Sequence, residues 1–203
     1  RHMSRPGPLR WVLREVLLLG ADIDFLPYDG NYHRGTVPAA LSDFALAPEA
    51  MFDGYRMTYR RDVISRVRFD PALRYYCPAE DLDASYRASR EGLLLTAEDA
   101  LVHHWVSPGG RLNARQVATL WTLNQAVFLH QNVADAGQAR SWFYRHGIRR
   151  LVANAIKDVL SRRFALPKAR GTWRALSLAG RIFKAAPDDL PTLYPDLQER
   201  IVK

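Results

Sequence analysis

Pro78-Ala79-Glu80-Asp81-Leu82-Asp83-Ala84-Ser85-Tyr86-Arg87, closed by Gly92, is the stretch on which the reading of this chain turns. Three carboxylates fall within one turn of what reads as a helix start, with Gly92 as its C-cap. Carboxylates so close repel one another, and a cation, a metal or a proton-transfer role would offset that repulsion. Two readings stay open at this level. In one, the acids complement the free N–H groups and the dipole of a helix start, each contributing about 0.3–1 kcal/mol. In the other, an aspartate held at that helix start stays ionised and accepts a proton from a hydroxyl group.

Working outward, Arg61–Val67 reads as a short helix that runs into a Phe69-Asp70-Pro71 turn, and Tyr55–Tyr59 as a strand before it. Downstream, Leu93–Thr96 and Ala100–Trp105 are strand-like, the second containing His103-His104, and Ser107-Pro108-Gly109-Gly110 is a break. Further upstream, Leu9–Leu19 has helical apolar spacing, and Ala21–Tyr28 suits a strand. Asp29-Gly30 then suits a turn, with Tyr32–Val37 as the returning hairpin partner. A loop or short helix is expected between Pro38 and Pro48.

The pattern changes after the Ser-Pro-Gly-Gly break. Asn113 to Asn132 reads as a long helix with Val117, Leu120, Trp121, Asn124, Val127 and Phe128 along one side. Trp142–Phe164 and Trp173–Phe183 follow as helices, then a loop over Pro187–Pro195 and a short helix over Asp196–Val202. The expected class is therefore α/β: a mixed-sheet portion over 6–112, then an all-α extension over 113–203. Arg1-His2-Met3 reads as a cloning scar or truncation point, so residues 1–5 are set aside as tag or linker.

Composition narrows the function classes. The chain has 203 residues, 48% hydrophobic, enough for a sizeable core. Cys77 is the single cysteine, which rules out an internal disulfide and suits a reducing compartment. The net charge of +8 points to an anionic partner. Arginines and lysines from Arg140 to Lys184 alternate with Trp142, Phe143, Tyr144, Phe164, Trp173 and Phe183. That pattern suits either a solvated basic bundle or docking on an anionic membrane. No helix-turn-helix, zinc-finger or RNP-like motif is present, so nucleic acid is not an expected partner.

At this point the order of motifs resembles the inverting family-2 glycosyltransferases of the GT-A fold. The series is Gly54, Arg60-Arg61, Phe69-Asp70, Glu80-Asp81-Leu82-Asp83, Arg87, Gly92 and Val102-His103, covering roughly 54–107. The resemblance implies that Asp81 is the catalytic base for an acceptor hydroxyl, with Glu80 beside it. Gly54, Tyr55, Arg60, Asp83 and Arg87 are the acceptor-side candidates. It implies a divalent metal, manganese or magnesium, with His103 as a ligand, because Ser107 follows at the family's usual interval; His104 is the adjacent alternative. The implied partners are a nucleotide-diphosphate-sugar donor and a glycan or lipid-linked acceptor of a bacterial-type surface polysaccharide or glycolipid. A homo-oligomer is left open. The implied location is cytoplasmic, with a peripheral position at the inner face of the cell membrane as the further option.

The chain departs from that family in one large respect. Before the matched region there is no room for the Rossmann-like half that holds the nucleotide and ends in an Asp-x-Asp motif. Asp22-Ile23-Asp24 imitates that motif in letters but reads as a strand with alternating faces. The expectation is an acceptor-binding half, its donor half lying elsewhere. The competing class is a degenerate or non-catalytic module that binds a partner chain or a membrane.

Overall fold

The computed structural model describes residues 35–49, 51–75, 79–105 and 112–203. The expected helix over Leu9–Leu19, the strand over Ala21–Tyr28, the Asp22-Ile23-Asp24 motif, most of the hairpin partner and Cys77 lie outside those residues. Among the described residues the chain is mostly helical, with one small antiparallel sheet. In order, they form a 3-10 turn at Ala39–Leu41, strand β1 (Leu46–Pro48), helix α1 (Arg61–Val67), helix α2 (Glu80–Ser89) and strand β2 (Leu95–Ala97). Four helices follow: α3 (Ala114–Asn132), α4 (Ala136–Leu160), α5 (Pro167–Ile182) and α6 (Leu190–Val202). A mixed α/β segment thus precedes an all-helical one.

Of the strand-like stretches among the described residues, only Leu93–Thr96 overlaps a strand, β2. Residues 55–59 form no strand: Arg56 N–H donates to Asp53 O at 2.9 Å, and the Arg56 guanidinium meets the Asp53 carboxylate at 2.8 Å. These contacts close a turn, which Asp53-Gly54 favours. The strands that do pair are β1 and β2, in the register Leu46↔Ala97, Ala47↔Thr96 and Pro48↔Leu95. Glu49 N–H to Leu94 O and Glu98 N–H to Ala45 O extend the ladder at either end. Residues 100–105 are irregular, and Leu101 and Trp105 are exposed.

The helical boundaries follow local chemistry. Helix α1 coincides with the expected Arg61–Val67. Helix α3 opens on a capping box: Asn113 Oδ1 accepts from Gln116 N–H while Gln116 Oε1 accepts from Asn113 N–H. Helix α4 begins earlier than Trp142 because Asp135 caps it, accepting from Gln138 N–H at 2.9 Å. Helix α6 contains the expected helix over Asp196–Val202 and extends it back to Leu190, into the expected loop over Pro187–Pro195. Pro191 falls in the first turn, where N–H groups are unpaired anyway, and Pro195 removes a single bond beyond it. Leu190, Tyr194, Leu197 and Ile201 recur at helical spacing and are all buried, which outweighs that loss.

One buried cluster joins the two segments. Leu82 and Tyr86 of α2 pack with Leu120, Leu123, Val127 and Phe128 of α3, Ala175 and Ile182 of α5, and the buried face of α6. Tyr86 meets Phe128 edge to face at 5.3 Å between ring centroids. Helices α3 and α5 cross so closely that a Cβ on Gly171 would lie 2.3 Å from Arg115 O. Asn124 accepts a hydrogen bond from the buried Tyr194 hydroxyl, fixing α6 against α3.

Candidate active site

The acidic run does open a helix, and packing decides what each acid can do. Leu82, Ala84, Ser85, Tyr86 and Ala88 are buried, so α2 lies against the core along most of its length. Ala79, immediately before it, takes φ 82°, in the left-handed region that a residue with a Cβ enters at a cost of about 1 kcal/mol. Glu80 and Asp81, half-buried in the first turn, face the turn that contains Gly54.

Asp81 is held at both oxygens. Oδ2 accepts from Gly54 N–H at 3.3 Å and Oδ1 from Leu82 N–H at 2.9 Å. A Cβ on Gly54 would lie 3.8 Å from Asp81 Oδ2 and equally near Glu80 Oε1, so both carboxylates border this turn. Burial pushes the Asp81 carboxyl above the ordinary range, and the Leu82 and Gly54 N–H groups oppose the rise. Burial also raises Glu80, with a smaller contribution from the Asp81 charge. Both are therefore more basic than free carboxylates, and among the described residues no cation pairs with either.

Asp83 and Arg87 serve the framework. Asp83 is 2% exposed, and its Oδ2 accepts from Arg87 Nη2 at 2.5 Å and Nε at 3.0 Å. Arg87 Nη1 donates to Val67 O at 2.6 Å, satisfying the C-terminal end of α1. These two expected acceptor-side residues are thus tied to each other and to the end of α1. Burial raises Asp83, and Arg87 opposes the rise. Arg60 is likewise turned elsewhere, its Nε and Nη2 each donating to Asp62 at 3.1 Å at the start of α1.

Aromatic groups support the turn. Tyr55 stacks on His104, with centroids 4.3 Å apart and planes 4° from parallel. Both adjacent histidines are exposed, and His104 is the one that stacks on the residue next to Gly54. Phe52 and Tyr59 meet edge to face at 5.7 Å, and Tyr59 meets Phe69 at 6.4 Å. Phe52 N–H donates to the buried Ser85 hydroxyl at 3.0 Å, a second tie between this loop and α2. Asp70 Oδ1 accepts from Ala72 N–H and Oδ2 from Gln131 Nε2, anchoring the Phe69-Asp70 turn to α3. Sequence reading missed the Phe52–Ser85 and Tyr55–His104 contacts, which join residues 33 and 49 positions apart with no local signature.

Among the described residues, no group of three or more His, Cys, Asp or Glu side chains converges to hold a metal ion. These residues do not by themselves fit the divalent ion that the resemblance implies, so the chemistry is derived from the carboxylates alone. No helix among them is long and apolar enough to cross a membrane. In comparisons with known proteins, no family model, no curated protein and no solved structure matches this chain.

Proposed function

We propose that this chain is the acceptor-binding part of an inverting glycosyltransferase of the GT-A, family-2 type, with Asp81 as the general base. In that reaction the acceptor hydroxyl oxygen forms a bond to the anomeric carbon of a nucleotide-diphosphate sugar. The bond from that carbon to the diphosphate oxygen breaks, and the hydroxyl proton passes to Asp81. A carboxylate whose affinity for protons is raised by burial suits that role better than a free one. Glu80 lies beside it as a second acceptor of hydrogen bonds. The stacked Tyr55–His104 pair offers a flat face on which a sugar ring can rest. On this reading the described residues supply the acceptor side, and the nucleotide and its metal are held by residues outside them.

The observation that carries this reading is the Asp81 carboxylate. It is fixed by Gly54 and Leu82, raised by burial and, among the described residues, paired with no cation, at a turn lined by Glu80 and Tyr55. Saturation-transfer NMR with short oligosaccharides tests it. Wild-type protein is expected to transfer saturation to a glycan, Tyr55→Ala to lose the effect, and Asp81→Asn to retain it. Calorimetric titration with nucleotide-diphosphate sugars and manganese is expected to show no tight binding to this polypeptide alone. Folded protein that engages no carbohydrate in any arm returns the chain to the class of non-catalytic binding modules. Micromolar affinity for a nucleotide sugar would put the donor site within this chain and reopen Asp22-Ile23-Asp24.

A further inference from the structure

Helix α4 buries Phe143, His146, Gly147, Ala153 and Asp158 on one side. At 3.6 residues per turn, Ile148, Val152 and Val159 fall within about 40° of one another on the opposite side. They are 56%, 49% and 50% exposed, and Leu160, the last residue of the helix, and Phe164 beyond it are 71% and 75% exposed. Exposed apolar side chains scattered singly need no explanation, but a stripe along the outward centre of a helix does. Arg145 and Arg149 flank the stripe and are exposed, as are Arg162 and Arg163 beyond it.

The charge around this stripe is one-sided. From residue 136 to residue 170 the sequence carries seven arginines, two lysines and a single acid, Asp158. Asp158 is 1% exposed and turned inward, its Oδ2 accepting from Lys168 N–H and Ala169 N–H at the start of α5. The outward side of α4 therefore presents apolar groups and cations with no acid of its own. A second copy pairing through the same face would bring arginines against arginines. An anionic bilayer meets both features at once: the apolar stripe enters the boundary of headgroups and acyl chains while the guanidinium groups meet phosphates.

We propose that the outward face of α4, centred on Ile148, Val152 and Val159 and continued by Leu160 and Phe164, lies on the surface of an anionic membrane. The inference does not rest on the reading of the acidic site. Arg150 is not part of this face: it lies inward over the Trp121 ring, 3.5 Å from its centroid. The helix lies along the interface instead of spanning it.

Co-flotation of the full chain with phosphatidylglycerol–phosphatidylcholine vesicles tests the proposal. Wild-type protein is expected to float with them at low salt and only weakly with phosphatidylcholine alone. Ile148→Ser with Val152→Ser is expected to weaken partitioning about tenfold or more. Arg145→Gln with Arg149→Gln is expected to weaken it by about tenfold and to flatten its salt dependence. Phe164→Ser serves as the second apolar variant should the first pair fail to fold, judged by circular dichroism. Failure to float with anionic vesicles, equal flotation with neutral ones, or flotation untouched by these changes overturns the proposal. A concentration-dependent dimer in light scattering that Ile148→Ser with Val152→Ser dissolves, without lipid binding, assigns the face to a second copy and also overturns it.

Discussion

Gly54 donates its backbone N–H to Oδ2 of Asp81, a contact of 3.3 Å between a turn residue and the first turn of α2, 27 positions later. The bond stabilises the ionised carboxylate, while burial destabilises it more strongly. Carbon-13 NMR titration of the Asp81 carboxyl is therefore expected to give a midpoint above the ordinary aspartate range. Gly54→Pro removes the donor and is expected to move that midpoint further up. Gly54→Ala keeps the donor, and its Cβ finds ordinary contact distances, so both fold and midpoint are expected to stay as they are. An Asp81 midpoint at or below that of a free aspartate would remove it as a tuned base.

The Asp83–Arg87 pair predicts a stability effect distinct from any effect on chemistry. Asp83→Ala leaves a guanidinium, 30% exposed, without its carboxylate. The expected loss is about 2–3 kcal/mol, below the figure for a fully buried pair because water still reaches Arg87. Urea unfolding measures it. Asp81→Asn, whose side chain keeps an oxygen for the Gly54 or Leu82 N–H, is expected to lose less than half as much. Equal losses would mean that Asp81, like Asp83, belongs to the framework.

His146 gives the fold a dependence on pH. Burial, with the Arg150 and Arg149 charges adding to it, lowers this imidazole from its usual 6.5 to about 4. A histidine depressed in the folded state contributes its full stability above its unfolded pKa and loses it as pH falls towards the folded value. Wild-type protein is therefore expected to lose up to about 3 kcal/mol between pH 6.5 and pH 4 through this group. His146→Phe, which keeps an aromatic ring against Trp142, is expected to flatten the slope over that window. Parallel pH profiles for the two proteins would rule out His146 as the source.

Two glycines of the bundle are expected to differ in their response to alanine. Alanine is the better helix former by about 1 kcal/mol, which alone would favour both changes. At Gly171 the new Cβ meets the backbone oxygen of Arg115 at 2.3 Å and the Ala118 Cβ at 2.9 Å, neither of which can yield without separating α3 from α5. At Gly147 the nearest atom, at 2.4 Å, is the end of the Leu176 side chain, which can rotate. Thermal melts are expected to show Gly171→Ala destabilised by about 1–3 kcal/mol and Gly147→Ala by less. The reverse order would mean that the α3–α5 crossing is looser than its geometry.

Local chemistry was enough to read much of the helical framework. Arg61–Val67 needed no tertiary information, and Asn113 with Gln116 sets the start of α3 through a capping box that any reader of the sequence can see. The acidic helix start was legible for the same reason, since Glu80, Asp81 and Asp83 are carboxylates suited to unpaired N–H groups. What local pattern could not supply is partnership. Strand pairing between residues 46–48 and 95–97 depends on an encounter across nearly fifty residues, so the alternating stretch at 55–59 looked equally eligible yet forms no strand. Two prolines argued against helix before Asp196, and only burial of Tyr194 and its neighbours against α3 reverses that balance. The division of labour among three adjacent acids was likewise decided in space. Asp83 faces Arg87 and the core, whereas Asp81 meets a single backbone N–H from a distant turn. Sequence places charges along a helix, but burial and the choice of partner, which set their protonation and their availability, arise only when the elements pack.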